Sequence, residues 1–120
     1  MTRAARSILT FGLYLTGMGI GMIAVPNTVL ALLRFPASTE IWPRVVGVIA
    51  LVLAYYYIQT ARHELTTFFR WTVTARAMVF VVFTAFVLLR LAPATLVLLG
   101  AVDLAAAIWT AVALRTDAKA

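Results

Sequence analysis

Two ionisable residues lie deep inside apolar runs, where a charge is unusual. Asp103 is near the middle of the run from Ala94 to Leu114, and Arg76 is several residues inside the preceding run. A charge at the centre of a bilayer costs roughly 2.5–3.5 kcal/mol on insertion scales, so such groups face protein or water and often face each other. The placement predicts an intramembrane polar pair, Asp103 and Arg76.

Depth along the predicted helices brings this pair together. With a rise of about 1.5 Å per residue, Arg76 lies about 12 Å above Phe68 and Asp103 lies about 14 Å below Ala94. Across a hydrocarbon core of about 30 Å, the two fall at similar depths on adjacent antiparallel helices. The sequence leaves open whether the pair is structural or functional. It also leaves open whether Asp103 titrates, because burial and a nearby guanidinium act on a carboxyl group in opposite directions.

Further polar residues could complete a pocket around this pair. Tyr55, Gln59 and Arg44 recur with Gly47 at helical spacing along the second apolar run, and Thr110 follows Asp103 by two turns. Residues at this spacing share one face of a helix. We therefore expect Tyr55, Gln59, Arg44 and Thr110 to line a small polar pocket.

The composition excludes most cofactor chemistry. The sequence contains no cysteine and a single histidine, His63. Disulfides, thiolate metal sites, cysteine-ligated iron–sulfur clusters and bis-histidine haem ligation within one chain are thereby excluded. His63-Glu64 also lacks the second histidine of an HExxH zinc motif. We predict no metal, no cofactor and no catalytic residue, and an enzymatic role is less expected than a non-enzymatic one.

The same composition defines the class of protein. Of 120 residues, 64% are hydrophobic and only 12% are charged, which cannot supply the surface of a soluble domain. The prediction is an all-α polytopic membrane protein: one four-helix transmembrane bundle with spans near 8–25, 40–59, 68–89 and 94–114, and a short interfacial helix near 28–33. The net charge of +6 reflects basic residues at the ends of the spans, facing lipid headgroups and not nucleic acid.

The basic residues also predict the orientation. Four spans place both termini on one side of the membrane. That side would carry Arg3, Arg6, Arg62, Arg70, Arg115 and Lys119, and the other Arg34, Arg44 and Arg90. Because cytoplasmic loops carry the excess of Lys and Arg, both termini are expected in the cytoplasm. Arginine outnumbering lysine, with abundant alanine, leucine and valine, suggests a bacterium with a GC-rich genome, and the predicted location is the bacterial inner membrane.

Small residues indicate where helices pack closely. Gly17 and Gly21 form a GxxxG pair in the first span, Gly47 lies in the second and Gly100 lies three residues before Asp103. Such residues let the backbones of membrane helices approach each other. The GxxxG pair is expected either to pack within the chain or to form the seam of a homodimer.

These features resemble one known family. Four short-looped helices, an arginine opening the second span with glycine three residues later (Arg44-Val45-Val46-Gly47), and a proline after a glycine-rich first span resemble the DoxX-like small bacterial membrane proteins. The resemblance covers nearly the whole chain. It implies a bacterial inner-membrane protein, and some members of the group are implied to be accessory subunits of quinone-linked redox systems.

Three functions are compatible with the sequence. The first is a non-enzymatic accessory or assembly subunit of a larger membrane complex, whose partners are the lipid bilayer and another membrane protein or a second copy of the chain. The second is a homodimeric small transporter or channel that uses Asp103 and Arg76. The third is a membrane enzyme or binder for a lipid-soluble substrate. Lipid-like or sterol-like density in a cavity around Asp103 would favour the third, and a closed, dry bundle would disfavour it.

Overall fold

The computed structural model describes residues 1–119. Over this range the chain is all-helical and consists of α1 (Arg3–Ala24), α2 (Pro26–Leu32), α3 (Trp42–Arg62), α4 (Thr66–Leu88) and α5 (Thr95–Lys119). Within it, four helices (α1, α3, α4 and α5) are long and apolar enough to cross a membrane. The predicted fold class, an all-α protein with four membrane-length helices, is confirmed.

Several helices extend beyond their apolar segments. α1 begins at Arg3, five residues before the predicted start, because the Thr2 hydroxyl caps it by accepting from the Ala5 amide. α2 starts at Pro26 and not at residue 28, since proline is well suited to the first helical turn, where its missing N–H leaves no bond unmade. α5 continues past Leu114 to Lys119.

The four long helices form a flattened arrangement with a groove on one face. α1 packs most extensively against α3, α4 packs against α5, and α1 joins the two pairs through α5. α3 and α4 are consecutive, yet they make little direct contact, and the shortest extent of the fold is only 17 Å. α3 and α4 form the two sides of a groove, and α1 and α5 form its base. The Thr95 hydroxyl donates to the Leu33 carbonyl and ties the segment after α2 to the start of α5.

Small residues at seven-residue spacing form the contact between α1 and α3. A Cβ placed on Gly19 would lie 2.8 Å from the Gly47 carbonyl oxygen, and one placed on Gly47 would lie 2.8 Å from the Gly19 carbonyl oxygen. Two turns away, a Cβ on Gly12 would meet the side chains of Ile58 at 3.1 Å and Tyr57 at 3.2 Å, and the Ala54 carbonyl oxygen at 3.5 Å. The two antiparallel backbones can approach this closely only because side chains are absent at the crossing.

The GxxxG pair does not form this contact. A Cβ on Gly17 would meet nothing within 4 Å, and one on Gly21 would meet only Val29 of α2, at 3.1 Å. The expectation that Gly17 packs within the chain is therefore wrong, because Gly17 and Gly21 lie on a different face of α1 from Gly12 and Gly19. Gly47 packs against Gly19, and Gly100 packs against Phe80 and Phe83.

Two carboxylates fasten the beginning of α1 to the rest of the bundle. Glu64, between α3 and α4, accepts hydrogen bonds from the Thr2 amide at 2.8 Å and the Thr2 hydroxyl at 2.7 Å. Asp117, near the end of α5, accepts from the Ala4 amide at 3.0 Å and the Arg3 amide at 3.4 Å. Amides at a helix start lack intrahelical partners and favour negative charge. We call this end of the bundle the terminal end, and the end that holds α2 the α2 end.

Removal of the Asp117 carboxylate should loosen this end. Asp117→Ala leaves the Arg3 and Ala4 amides without acceptors, and we expect it to destabilise the start of α1 by about 1 kcal/mol. Hydrogen exchange of these two amides in micelles measures the effect. Glu40→Ala removes a carboxylate at the α2 end and serves as the control. Equal exchange in both variants would contradict a capping role for Asp117.

Candidate functional site: a groove at membrane depth beside Asp103

Arg76 is buried at the centre of the bundle, with 2% of its surface exposed. Its Nε donates to the Thr72 carbonyl at 3.2 Å, and its Nη2 donates to the Thr72 hydroxyl at 3.0 Å and to the Thr110 hydroxyl at 2.9 Å. The Thr72 hydroxyl in turn donates to the Phe69 carbonyl at 2.7 Å. Hydroxyl and carbonyl oxygens thus hold the cation.

A chain of hydroxyl groups carries this network from α5 to α1. The oxygens of Thr110 and Ser7 are 2.7 Å apart, and the Ser7 hydroxyl donates to the Ala4 carbonyl at 2.7 Å. Because the Ser7 proton is used in that bond, the Thr110 hydroxyl donates to Ser7 while it accepts from Arg76. Every hydroxyl in the chain therefore has an acceptor for its proton.

Two aromatic rings complete the surroundings of the guanidinium. Its central carbon lies 5.0 Å from the ring centroid of Phe11 and 6.0 Å from that of Tyr57. The negative face of an aromatic ring attracts a cation, and this attraction strengthens where water is excluded. We call Arg76, Thr72, Thr110, Ser7, Phe11 and Tyr57 the Arg76 cluster. It draws on all four long helices.

The expected contact between Arg76 and Asp103 is not made. Nε and Nη2 of Arg76 bond to threonine, and its buried Nη1 has no hydrogen-bond partner among residues 1–119. The prediction of similar depth for their Cα atoms did not account for side-chain direction.

Helix direction explains the separation. A helical side chain leans toward the N-terminus of its own helix. On antiparallel α4 and α5 this sends the Arg76 guanidinium toward the terminal end, where it meets Thr72 and Thr110. It sends the Asp103 carboxylate toward the α2 end, where it lines the groove with Leu99 and Phe83.

The groove holds a cavity of about 340 Å³. Its walls come from α1, α3, α4 and α5 with Leu33 from the segment after α2, and they are almost entirely apolar; Met18, Ala50 and Val79 are examples. Of the lining residues within the described range 1–119, only Asp103 and Tyr14 carry polar side-chain groups, a carboxyl group and a hydroxyl group. A ligand site of this kind is typically an apolar concavity with a few polar groups that orient its occupant.

The other predicted pocket residues lie elsewhere. Tyr55 is 59% exposed and faces away from the bundle, and Arg44 and Gln59 do not line the cavity. Thr110 is fully buried in the Arg76 cluster. The prediction placed Tyr55 wrongly because the small-residue contact with α1 sets the rotation of α3 about its own axis. This rotation turns Tyr57 inward and Tyr55 outward.

The sequence did not identify several residues of the site, among them Ser7, Tyr14, Tyr57, Phe11 and Thr72. Ser7 and Tyr14 lie seven residues apart on α1, so both fall on the face turned toward α5 and the groove. Hydroxyl-bearing side chains two helical turns apart, at positions 7 and 14, were a usable signal. Tyr57 carried no such signal, since nothing local distinguishes it from Tyr55 and Tyr56.

Fold and site together define a class: an α-helical protein of four membrane-length helices with an apolar groove that contains a carboxyl group. Comparisons with protein-family models, with curated proteins and with solved structures find no match to this chain.

Proposed function

We propose that the protein is a non-catalytic binding protein of the bacterial inner membrane, with both termini in the cytoplasm. It holds a lipid-soluble molecule in the groove beside Asp103. The ligand is apolar over most of its surface and carries one cationic or hydrogen-bond-donating group. This is the binding form of the third hypothesis from the sequence.

The observation that carries the proposal is a carboxyl group in an apolar cavity. Asp103 lines the cavity, and within the described part of the chain Arg76 directs its hydrogen bonds to threonines instead. A polar group removed from water is stable only when it finds a partner, and polar groups at membrane depth mark functional sites by default. A ligand with a donor group satisfies the carboxylate while its apolar part fills the groove.

The distribution of basic residues supports the orientation. Within residues 1–119, six basic side chains belong to the terminal end and three to the α2 end; the six are Arg3, Arg6, Arg62, Arg70, Arg115 and Lys119. This asymmetry favours a cytoplasmic terminal end. Asp103 shares the groove with Met22, Leu33 and Leu99 of the α2 end, so the ligand's polar group would lie in the half of the bilayer away from the cytoplasm.

Three decyl compounds with different head groups test the proposal directly. Decylammonium, decanol and decanoate share one apolar chain and differ in charge and in their capacity to donate. We expect decylammonium, and more weakly decanol, to raise the midpoint of thermal unfolding in a neutral detergent, and decanoate to leave it unchanged. A bound ligand stabilises by about 2.7 kcal/mol at one hundred times its dissociation constant.

Two substitutions identify the site of this effect. Asp103→Asn keeps the shape and an acceptor but loses the charge, so decylammonium affinity should fall about tenfold, the difference between a charge-assisted and a neutral hydrogen bond. Ala50→Phe fills the groove and should abolish the effect, whereas Ala105→Phe, on an exposed face of α5, should not. If Ala50→Phe binds decylammonium as the original chain does, the groove is not the site.

The same variants distinguish an accessory subunit of a larger complex from a protein that binds a small ligand. If the groove receives a helix of a partner protein, a stoichiometric partner should co-purify with the original chain and with Ala105→Phe, but not with Ala50→Phe. A protein that purifies without partners and responds to decylammonium supports the binding function.

A further inference from the structure

A second concavity lies at the terminal end, on the face of α1 and α5 turned away from the groove. It encloses about 370 Å³ and is lined by Arg3 and Arg6 from α1 and by Trp109, Val112, Ala113 and Thr116 from α5. Its position at the end of two membrane-length helices places it at the level of lipid headgroups. The proposed function does not use it.

Within residues 1–119, the lining of this concavity is basic. None of its lining residues is acidic. The closest acidic residue in the fold, Asp117, accepts hydrogen bonds from the backbone amides of Arg3 and Ala4 and lines a separate pocket together with Arg70. Arg3 and Arg6, one turn apart, thus line a recess without an acidic lining residue, and the Asp117 carboxylate beside it is engaged by backbone amides. Arginine is suited to such a site because its planar fork binds phosphate oxygens in pairs.

An apolar surface continues from the concavity toward the α2 end. On α1, Leu13, Gly17 and Ile20 follow Arg6 at helical spacing and are exposed, and a Cβ on Gly17 would meet nothing within 4 Å. On α5, Val112, Val102 and Leu98 are exposed as well. Trp109, also partly exposed, offers an indole N–H between the charged and apolar regions, the usual position of tryptophan at a membrane interface.

We propose that this concavity binds an anionic membrane phospholipid from the leaflet at the terminal end. Arg3 and Arg6 hold the headgroup phosphate, Trp109 contacts the glycerol region, and the acyl chains lie along the exposed faces of α1 and α5. Charge complementarity selects an anionic lipid, and the adjoining apolar faces select a lipid over a free anion.

Native mass spectrometry of the protein in a neutral detergent tests the assignment. Dioleoyl phosphatidylglycerol should remain bound to the original chain, while dioleoyl phosphatidylcholine, which has the same chains and no net charge, should bind at least tenfold more weakly. Excess inorganic phosphate should not displace the bound lipid. Displacement by phosphate, or equal binding of the two lipids, would overturn the proposal.

Matched double variants separate a defined site from a general surface charge. Arg3→Gln with Arg6→Gln should weaken phosphatidylglycerol binding about 30-fold, because each basic residue near an anionic lipid surface contributes about 1 kcal/mol. Arg62→Gln with Arg70→Gln removes the same charge from the same end but from outside the concavity, and should change binding less than threefold. Equal losses in the two variants would contradict a defined site. Arg3→Lys with Arg6→Lys retains the charge but not the planar fork, so it should recover part of the affinity lost in the glutamine variant and exclude misfolding as the cause.

Discussion

Gly47→Ala is expected to destabilise the protein by about 2–3 kcal/mol, near the upper end of the usual cost of overpacking. The added methyl group would lie 2.8 Å from the Gly19 carbonyl oxygen and 2.9 Å from the Met22 Cβ. Neither atom is the flexible end of a side chain, so the helices themselves must separate. Because α1 packs most extensively against α3, this separation affects the largest contact in the fold.

Gly17→Ala provides the matched control for this prediction. It adds the same methyl group to the same pair of helices at a position with nothing within 4 Å. It should be neutral or stabilising by up to about 1 kcal/mol, the difference in helix propensity between glycine and alanine. Equilibrium unfolding by SDS in mixed micelles compares the variants. If Gly17→Ala costs as much as Gly47→Ala, Gly17 lies in an interface with another molecule.

The Gly47 substitution should also affect ligand binding. Met22 lies against Gly47 and lines the groove near Asp103. A displaced α1 would alter the floor of the groove, so decylammonium should bind Gly47→Ala more weakly than Gly17→Ala. The small-residue contact therefore sets the shape of the site as well as the stability of the bundle.

Composition and hydropathy were sufficient to predict the helices. Apolar runs of membrane length leave little alternative to helices in a bilayer, since every backbone polar group must be satisfied internally. Packing was harder to predict, because the first span offers Gly12, Gly17, Gly19 and Gly21 and their spacing is compatible with more than one contact face. Only the partner helix, with Gly47 and Ala54 at the same seven-residue interval, selects Gly12 and Gly19.

The sequence predicted only part of the site, the part that depends on residue type and depth. Asp103 and Arg76 stood out because charge is costly at their depth. Their separation follows from the opposite lean of side chains on antiparallel helices. The depth of a Cα atom does not show in which direction its side chain leans. Tyr55 and Tyr57 are chemically identical and two residues apart, so the rotation of α3 about its axis decides which of them is buried, and tertiary packing fixes that rotation.

The two charged groups consequently have different surroundings and different roles. Arg76 is enclosed by hydroxyl groups and aromatic rings that belong to all four long helices. Asp103 lies at the wall of a cavity. The arginine is therefore a structural centre of the bundle that also places positive charge near the groove, whereas the aspartate is available to an occupant.

Thr110→Val should destabilise the protein by about 2–3 kcal/mol, in the range for a hydrogen bond to a charged group. Thr110 is fully buried, and its hydroxyl accepts from Arg76 and donates to Ser7. Valine has nearly the same shape, so the loss is confined to these bonds. Thr116→Val removes a hydroxyl from an exposed turn of the same helix, where it bonds only to the Val112 carbonyl, and should cost less than about 0.5 kcal/mol.

A double-mutant cycle with Arg76→Met shows whether the arginine is the reason for this cost. Arg76→Met should be close to neutral, because it removes the desolvation cost of a buried cation together with the cation's hydrogen bonds. The protons of Thr72, Thr110 and Ser7 keep their acceptors without Arg76. In the Arg76→Met background, Thr110→Val should then cost only about 1 kcal/mol, the value of an ordinary hydrogen bond. The same cost in both backgrounds, measured by unfolding in mixed micelles, would mean that Thr110 acts through packing and that the Arg76 cluster is not an energetic unit.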